Sequence, residues 1–406
     1  MRRKSRRILI YSHDSFGLGH HRRCRTVAHA LVEADEDLSV LILSGSPIIG
    51  SFDFKSRVDF VRVPGVIKLR NGDYTSLKLP IAVEEMLALR ASIVEHTAQT
   101  FDPDLFLVDK EPLGLRGEAE PTLALMRQRG VPCVLGLRDV MDDPELLETE
   151  WARKNSVQAL TKYYDEIWVY GLPQICEPLA GIDLPASLKK AMVYTGYLRR
   201  SAGKSASRPA LEKISSPYIL VTVGGGGDGE EIIDWVLSAY ETQSNLPYPA
   251  LMVLGPFMAS ERQSEFLHRA AKLDMVEALT FDAHIETLLE RAIGVVCMGG
   301  YNTFCEILSF DKRAIVVPRT QPRKEQFLRA SKAQELGLVH MLTDDGERRA
   351  IDMATALRHL PQQPLPSQVV VPGLLDGVEN VVRLASRWQG KGRHAGEAPQ
   401  ALRAGI

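Results

Sequence analysis

Along nearly the whole chain, short apolar runs rich in β-branched residues alternate with helix-length amphipathic stretches. Strands that are apolar on both faces and separated by helices are the sequence form of βαβ units in a mostly parallel sheet, so the predicted fold class is α/β. In the first half the predicted strands are Arg7–Ser12, Leu38–Leu43, Val58–Val63, Asp104–Val108, Pro132–Leu137 and Glu166–Tyr170. A small, polar and basic segment, Arg199–Pro209, interrupts the series and reads as a linker. The pattern then restarts with Tyr218–Val223, Ala250–Leu254, Val276–Phe281, Gly294–Met298, Ala314–Val317 and Leu338–Leu342. The predicted organisation is a Rossmann-like domain over 1–198, a linker over 199–216, a second Rossmann-like domain over 217–373 and a terminal helix over 374–388. That helix carries Leu375, Val378, Val382 and Ala385 at helical spacing. Residues 389–406 have no hydrophobic period and are expected to be disordered.

Composition narrows the function classes. The chain has 406 residues, enough for two cores, and balances 49 Lys and Arg against 51 Asp and Glu. Without a basic excess there is no global electrostatic case for nucleic-acid binding. The apolar runs are strand-sized, well short of the roughly 18 to 20 residues that cross a bilayer. The basic start, Met1 to Arg7, is followed by only a short apolar stretch, so no secretion signal is expected. It reads as a solvated tail or, alternatively, as a patch drawn to anionic lipid at the inner face of the membrane. Five cysteines with no Cys-x-x-Cys pair suit a reducing compartment, and the cytoplasm is the expected location.

Three glycine-containing loops carry the candidate chemistry, each leaving a predicted strand and entering a predicted helix. The first, Gly17-Leu-Gly19-His20, places backbone N–H groups and a histidine at a helix N-terminus on the carboxyl side of the sheet, where open α/β sheets bind ligands. His20 in that setting is a candidate general base. The second loop includes Gly224, Gly226 and Gly229 in a Gly-x-Gly-x-x-Gly arrangement. A dinucleotide fingerprint also needs an acidic residue at the end of the next strand, which here ends Leu254-Gly255-Pro256; a mononucleotide diphosphate fits better. The third, Gly299-Gly300-Tyr301-Asn302-Thr303 with Glu306 one turn on, offers a phosphate-binding helix start at Asn302 or Thr303. Glu306 suits either a capping box or the two hydroxyls of a ribose. A polar turn, Arg319 to Gln326, follows the next strand and suits either sugar hydroxyls or a solvated helix start.

These motifs together, with Val317-Pro318-Arg319 and Gln326, resemble the family 28 glycosyltransferases of GT-B fold, which include the MurG-type peptidoglycan transferases, and more closely a bacterial group known as predicted glycosyltransferases. The resemblance runs from about Arg7 to Trp388. It implies two Rossmann-like domains facing each other across a cleft, and an inverting, metal-independent transfer of a sugar from a nucleotide-diphosphate sugar, UDP-linked in this family, to an acceptor hydroxyl. It further implies that Gly225, Gly226 and Gly227, with Gly299, Gly300, Tyr301, Asn302 and Thr303, line the diphosphate. Glu306 then holds the ribose, the stretch Phe281 to His284 the uracil, and Glu325 and Gln326 the hexose hydroxyls. Glu325 departs from a pair of glutamines in MurG-type enzymes.

On the acceptor side the resemblance implies His20 as base, with Gly17, Gly19 and Arg23 around it. The same Gly-x-Gly-His-x-x-Arg pattern occurs in a UDP-sugar hydrolase of this fold, so hydrolysis, or epimerisation, is the alternative activity. The longer amino-terminal domain, with Val66–Leu79 able to cover an acceptor, favours transfer. Arg138 is read as an acceptor-phosphate ligand or as a partner of Asp139 or Asp142. No cofactor or metal is expected. The expected partners are a nucleotide-sugar donor and a glycan, lipid-linked or small-molecule acceptor.

Overall fold

The computed structural model describes residues 5–13, 19–68, 74–202, 214 and 217–388. The expected linker falls largely outside these residues, as do Gly17 and the segment 389–406.

The first domain contains β1 (Arg6–Ser12), α1 (Gly19–Ala34), β2 (Leu38–Ser44), β3 (Val58–Arg62), β4 (Val66–Lys68), β5 (Tyr74–Ser76), α2 (Val83–Phe101), β6 (Leu105–Asp109), α3 (Glu120–Gln128), β7 (Cys133–Arg138), α4 (Pro144–Arg153), α5 (Ser156–Tyr163), β8 (Glu166–Tyr170), α6 (Ala186–Ala191) and β9 (Met192–Tyr194). Seven strands form one parallel sheet in the order β3-β2-β1-β6-β7-β8-β9. Ile8 and Ile10 of β1 pack into one apolar cluster and Leu9 and Tyr11 into another, which explains why the run has no polar face. The short β9 was not anticipated. Nor was the antiparallel β4–β5 ribbon within the segment expected to cover an acceptor.

The second domain contains β10 (Ile219–Thr222), α7 (Glu230–Thr242), β11 (Ala250–Val253), α8 (Ser260–Ala271), β12 (Val276–Leu279), α9 (Ile285–Arg291), β13 (Gly294–Cys297), α10 (Tyr301–Ser309), β14 (Arg313–Val316), α11 (Glu325–Glu335), β15 (His340–Met341) and α12 (Ala350–His359). Its parallel sheet runs β12-β11-β10-β13-β14-β15. The order reverses between β10 and β13, which opens a crevice at their carboxyl ends.

The last helix, α13 (Gly377–Trp388), returns to the first domain and packs on α1. Gly377 permits this: a Cβ there would lie 2.5 Å from the Gly196 carbonyl oxygen. The Tyr197 amide donates to Leu374 O at 2.8 Å, and Asn380 Nδ2 to Thr195 O at 2.8 Å. Gly377, Val381, Leu384 and Ala385 are its buried positions; of the predicted stripe Ala385 is buried, and Leu375, Val378 and Val382 are half-buried. Among the described residues no helix is long and apolar enough to cross a membrane.

Candidate functional site

The carboxyl ends of the two sheets face a cleft of about 1280 Å³. On the first-domain wall, parallel pairing sets Ser12 of β1 beside Asp109 of β6, so the Asp109 carboxylate meets the first turn of α1. His20 Nδ1 lies 2.5 Å from Asp109 Oδ2, and Arg23 Nε donates to Asp109 Oδ1 at 2.8 Å. Asp109 is 2% exposed. Against the upward push of burial, Arg23 and His20 hold its carboxyl well below the usual range. An ionised Asp109 makes Nδ1 the protonated ring nitrogen of His20 and leaves the lone pair on Nε2. His13 contacts the His20 ring edge-on at 4.3 Å, and burial followed by His20 itself keeps it neutral.

Arg23, expected near an acceptor, is committed instead to Asp109 and lies 5.4 Å from the Tyr301 ring centroid. Asp109 is not among the candidate residues that the motifs single out. Its signal was its place at the end of a strand, but reading that signal required knowing that β6 lies next to β1.

On the opposite wall α10 begins at Tyr301 with Gly300 as its cap, one to two residues before the expected start at Asn302 or Thr303. The Gly300 carbonyl accepts from Phe304 N at 2.9 Å, so the amides of Tyr301, Asn302 and Thr303 precede the first intrahelical donor. Gly300 through Thr303 line the cleft. Asn302 also bridges the domains, accepting from Arg200 Nη2 at 2.7 Å and donating to Gly19 O at 3.0 Å.

Glu306 lines the cleft but is 1% exposed and forms no capping box, since position three of the helix is Thr303. Its Oε1 is ion-paired with Arg22 of α1, which also donates to Glu286 at 2.8 Å. Its Oε2 is buried with no hydrogen-bond partner among the described residues. Burial, with Glu286 nearby, pushes its carboxyl up to about 7 despite Arg22.

The glycine loop after β10 contributes less surface than expected. Gly224 and Gly225 line the cleft, whereas Gly226 and Gly227 do not. Gly226 has φ +83 and sits where a Cβ would be 2.4 Å from Leu254 O, so its role is the close approach of two loops. Gly299 likewise stands behind the wall, its carbonyl accepting from Arg329 Nη1 at 2.9 Å. Phe281, Asp282 and Ala283 line the expected base pocket. His284 does not: its ring faces Asp53 of the first domain, with Nε2 3.1 Å from Oδ2. At the start of α11, Arg319 Nη2 donates to Glu325 Oε1 at 2.6 Å and the Arg319 amide to Gln326 Oε1 at 3.1 Å. Glu325 Oε2 is buried with no hydrogen-bond partner among the described residues.

Arg138 reaches the cleft from the end of β7 but pairs with neither Asp139 nor Asp142. Asp139 instead receives Arg329 across the domain boundary, Nη2 at 2.6 Å and Nε at 2.7 Å, with the Tyr197 hydroxyl at 2.7 Å. Asp142 accepts from the Lys324 amide at 3.0 Å. Gly19 lines the cleft beside His20. Among the described residues no group of His, Cys, Asp and Glu side chains is arranged to hold a metal ion.

Two facing Rossmann-like domains, with a helix N-terminus on one wall of the cleft and a His–Asp pair on the other, give the chain the GT-B architecture found in solved glycosyltransferases. The model of the glycosyltransferase family 28 C-terminal domain matches residues 218–365, which span most of the second domain.

The whole chain shares its fold with solved glycosyltransferases. The calicheamicin glycosyltransferase CalG4 aligns over 97% of this chain and 100% of its own at 16% identity and TM-score 0.60. UGT2 of Phytolacca americana, complexed with UDP-2-fluoro-glucose and pterostilbene, aligns over 94% and 99% at 15% identity and TM-score 0.62. MurG of Acinetobacter baumannii aligns over 94% and 99% at 12% identity and TM-score 0.53. No curated protein matches the chain in sequence.

Proposed function

We propose that the protein transfers a hexose from a UDP-sugar to an acceptor hydroxyl with inversion and without a metal. The observation that carries the reading is the His20–Asp109 pair at 2.5 Å, set across the cleft from the start of α10. The diphosphate lies against Gly225 and the amides of Tyr301 to Thr303, where the positive end of the helix opposes its charge. Glu306 Oε2, buried and unpartnered, accepts from the ribose. Backbone groups of Phe281 to Ala283 meet the uracil, while Glu325 and Gln326 face the hexose.

The acceptor lies against the first domain. Its oxygen attacks the anomeric carbon as the bond to the diphosphate breaks; its proton passes to His20 Nε2, and Asp109 stabilises the imidazolium that forms. Attack opposite the leaving group inverts the anomeric centre. The leaving charge is spread onto amides already oriented before reaction, which is the electrostatic task a cation would otherwise perform.

Titration with UDP, GDP, TDP and ADP tests the donor assignment, with UDP expected to bind tightest. Tighter binding of GDP, TDP or ADP would remove uracil from the proposal. The anomeric configuration of the product, read by NMR, tests inversion.

A further inference from the structure

Among the described residues Arg138 has no counter-charge in contact. It lines the cleft at the end of β7, and its Nε is buried with no hydrogen-bond partner. The other cations that line this part of the cleft are each matched. Lys110 Nζ lies 3.6 Å from Glu111, Lys154 Nζ 2.8 Å from Glu111 and 2.6 Å from Glu150, and Arg323 3.1 Å from Glu150 and 3.7 Å from Asp142. Glu325 is the carboxylate that most favours the charge of Arg138; its Oε1 accepts from Arg319 at 2.6 Å, and its Oε2, without a hydrogen-bond partner among the described residues, is not in ion-pair contact with Arg138.

Arg138 is half-buried, with Nε taken out of water and unmatched, and a partly desolvated guanidinium lining a cleft is a binding element for an anion from outside. Burial is the main cause that brings Arg138 down to about 10, with Arg329 and Arg23 adding to it. Lys110 is lowered to about 8 by burial and by the repulsion of Arg138 and Arg323, which places these cations within electrostatic reach of one another. Lys110 also holds φ +68, a left-handed conformation uncommon for a residue with a side chain, directly after Asp109.

The position separates this pair from the donor phosphates, although Glu325, placed at the hexose, lies within electrostatic reach of Arg138. Phosphates of a nucleotide sugar have the start of α10 on the second domain, whereas Arg138 and Lys110 stand on the first-domain wall with His20. An Arg fork beside a lysine is the side-chain set that recognises a planar or tetrahedral oxyanion.

We infer that Arg138 and Lys110 form an oxyanion subsite for the acceptor, so that the molecule glycosylated carries a phosphate or carboxylate near the hydroxyl that His20 deprotonates. The inference rests on the proposed placing of donor and base.

Calorimetry on the UDP-saturated full chain tests it, with phenyl phosphate and benzoate as anionic probes and benzyl alcohol as the neutral control. Both anions are expected to bind the wild type and benzyl alcohol is not. Arg138→Gln is expected to weaken the anions at least tenfold with UDP affinity within twofold of wild type, and Arg138→Lys to retain part of the binding. The melting temperature of Arg138→Gln should not fall, because no ion pair is broken; Lys110→Gln supplies a second variant should Arg138→Gln fail to fold.

Unchanged anion binding in Arg138→Gln overturns the subsite. A tenfold loss of UDP affinity overturns it too, by moving the cation to the donor phosphates. Selective loss of UDP-glucuronate against UDP-glucose, with phenyl phosphate unaffected, assigns the anion to the donor sugar and overturns the acceptor assignment. If the wild type takes no UDP, the donor reading fails by itself, and anion titration of the unloaded chain still decides the subsite.

Discussion

Nδ1 of His20 and Oδ2 of Asp109, from residues 89 positions apart in sequence, lie 2.5 Å apart in a buried corner of the cleft. The pair sets the tautomer of His20 and supplies the charge that balances an imidazolium. Asp109→Asn is therefore expected to lower turnover by about 10² to 10⁴, as is His20→Ala, with UDP affinity nearly unchanged in both. Single-turnover kinetics beside UDP titration checks this; parallel loss of UDP binding would put the pair in the donor site.

Donor affinity should depend on pH through Glu306. Its carboxyl is pushed up to about 7, mainly by burial, so it is mostly protonated at pH 6, whereas a ribose needs the carboxylate as acceptor. Affinity for a UDP-sugar is expected to rise about tenfold from pH 6 to 8 and to level off above, following one-proton linkage. Glu306→Gln should flatten the profile. Because the folded value lies above the ordinary 4.5, the unliganded fold binds the extra proton, and this group's contribution to stability declines as pH rises from 4.5 through 7.

Glu306→Ala and Gln326→Ala should separate ribose from hexose. The first is expected to cost about 1–3 kcal/mol in UDP binding, and Arg22 retains Glu286 at 2.8 Å, so the domains stay joined. The second should leave UDP alone and weaken only the UDP-sugar, by about 1 kcal/mol. A calorimetric result in which Gln326→Ala weakens both ligands equally would refute the placement of the hexose.

Asp139→Ala removes the partner of Arg329, a guanidinium 1% exposed at the domain boundary. The expected loss is about 3–5 kcal/mol, because the remaining charge stays buried. Asp139→Leu combined with Arg329→Met should recover much of it. Denaturant unfolding of the single and double variants measures the difference.

Turnover is expected to survive excess EDTA, because helix amides rather than a cation are proposed to oppose the leaving diphosphate. An enzyme silenced by chelation and restored by Mg²⁺ or Mn²⁺ would require a different mechanism.

The α/β class and the three glycine loops could be read along the chain, because each depends on neighbours within a few residues. Ile8 to Tyr11 are apolar at every position because both faces of β1 are covered, and loops at strand ends follow from the same alternation. Local reading also had limits within a single element. It placed the start of α10 at Asn302 or Thr303 instead of Tyr301, since Gly300 caps through backbone shape with no side-chain signature. It placed His284 in the base pocket, although a histidine at a helix start can turn either way and Asp53 draws it outward.

What required the tertiary structure was which distant groups meet. Strand order, set by packing over the whole sheet, puts Asp109 against His20 and leaves Lys110 beside Arg138. Domain apposition pairs Arg22 with Glu306, 284 positions away, and Asp139 with Arg329, 190 positions away, in place of the Arg138–Asp139 pair that adjacency suggested. Hydrophobic period is a local property that specifies helix or strand. The partner of a buried charge is chosen by the low-dielectric space into which two remote segments fold, and no spacing along the chain encodes that distance.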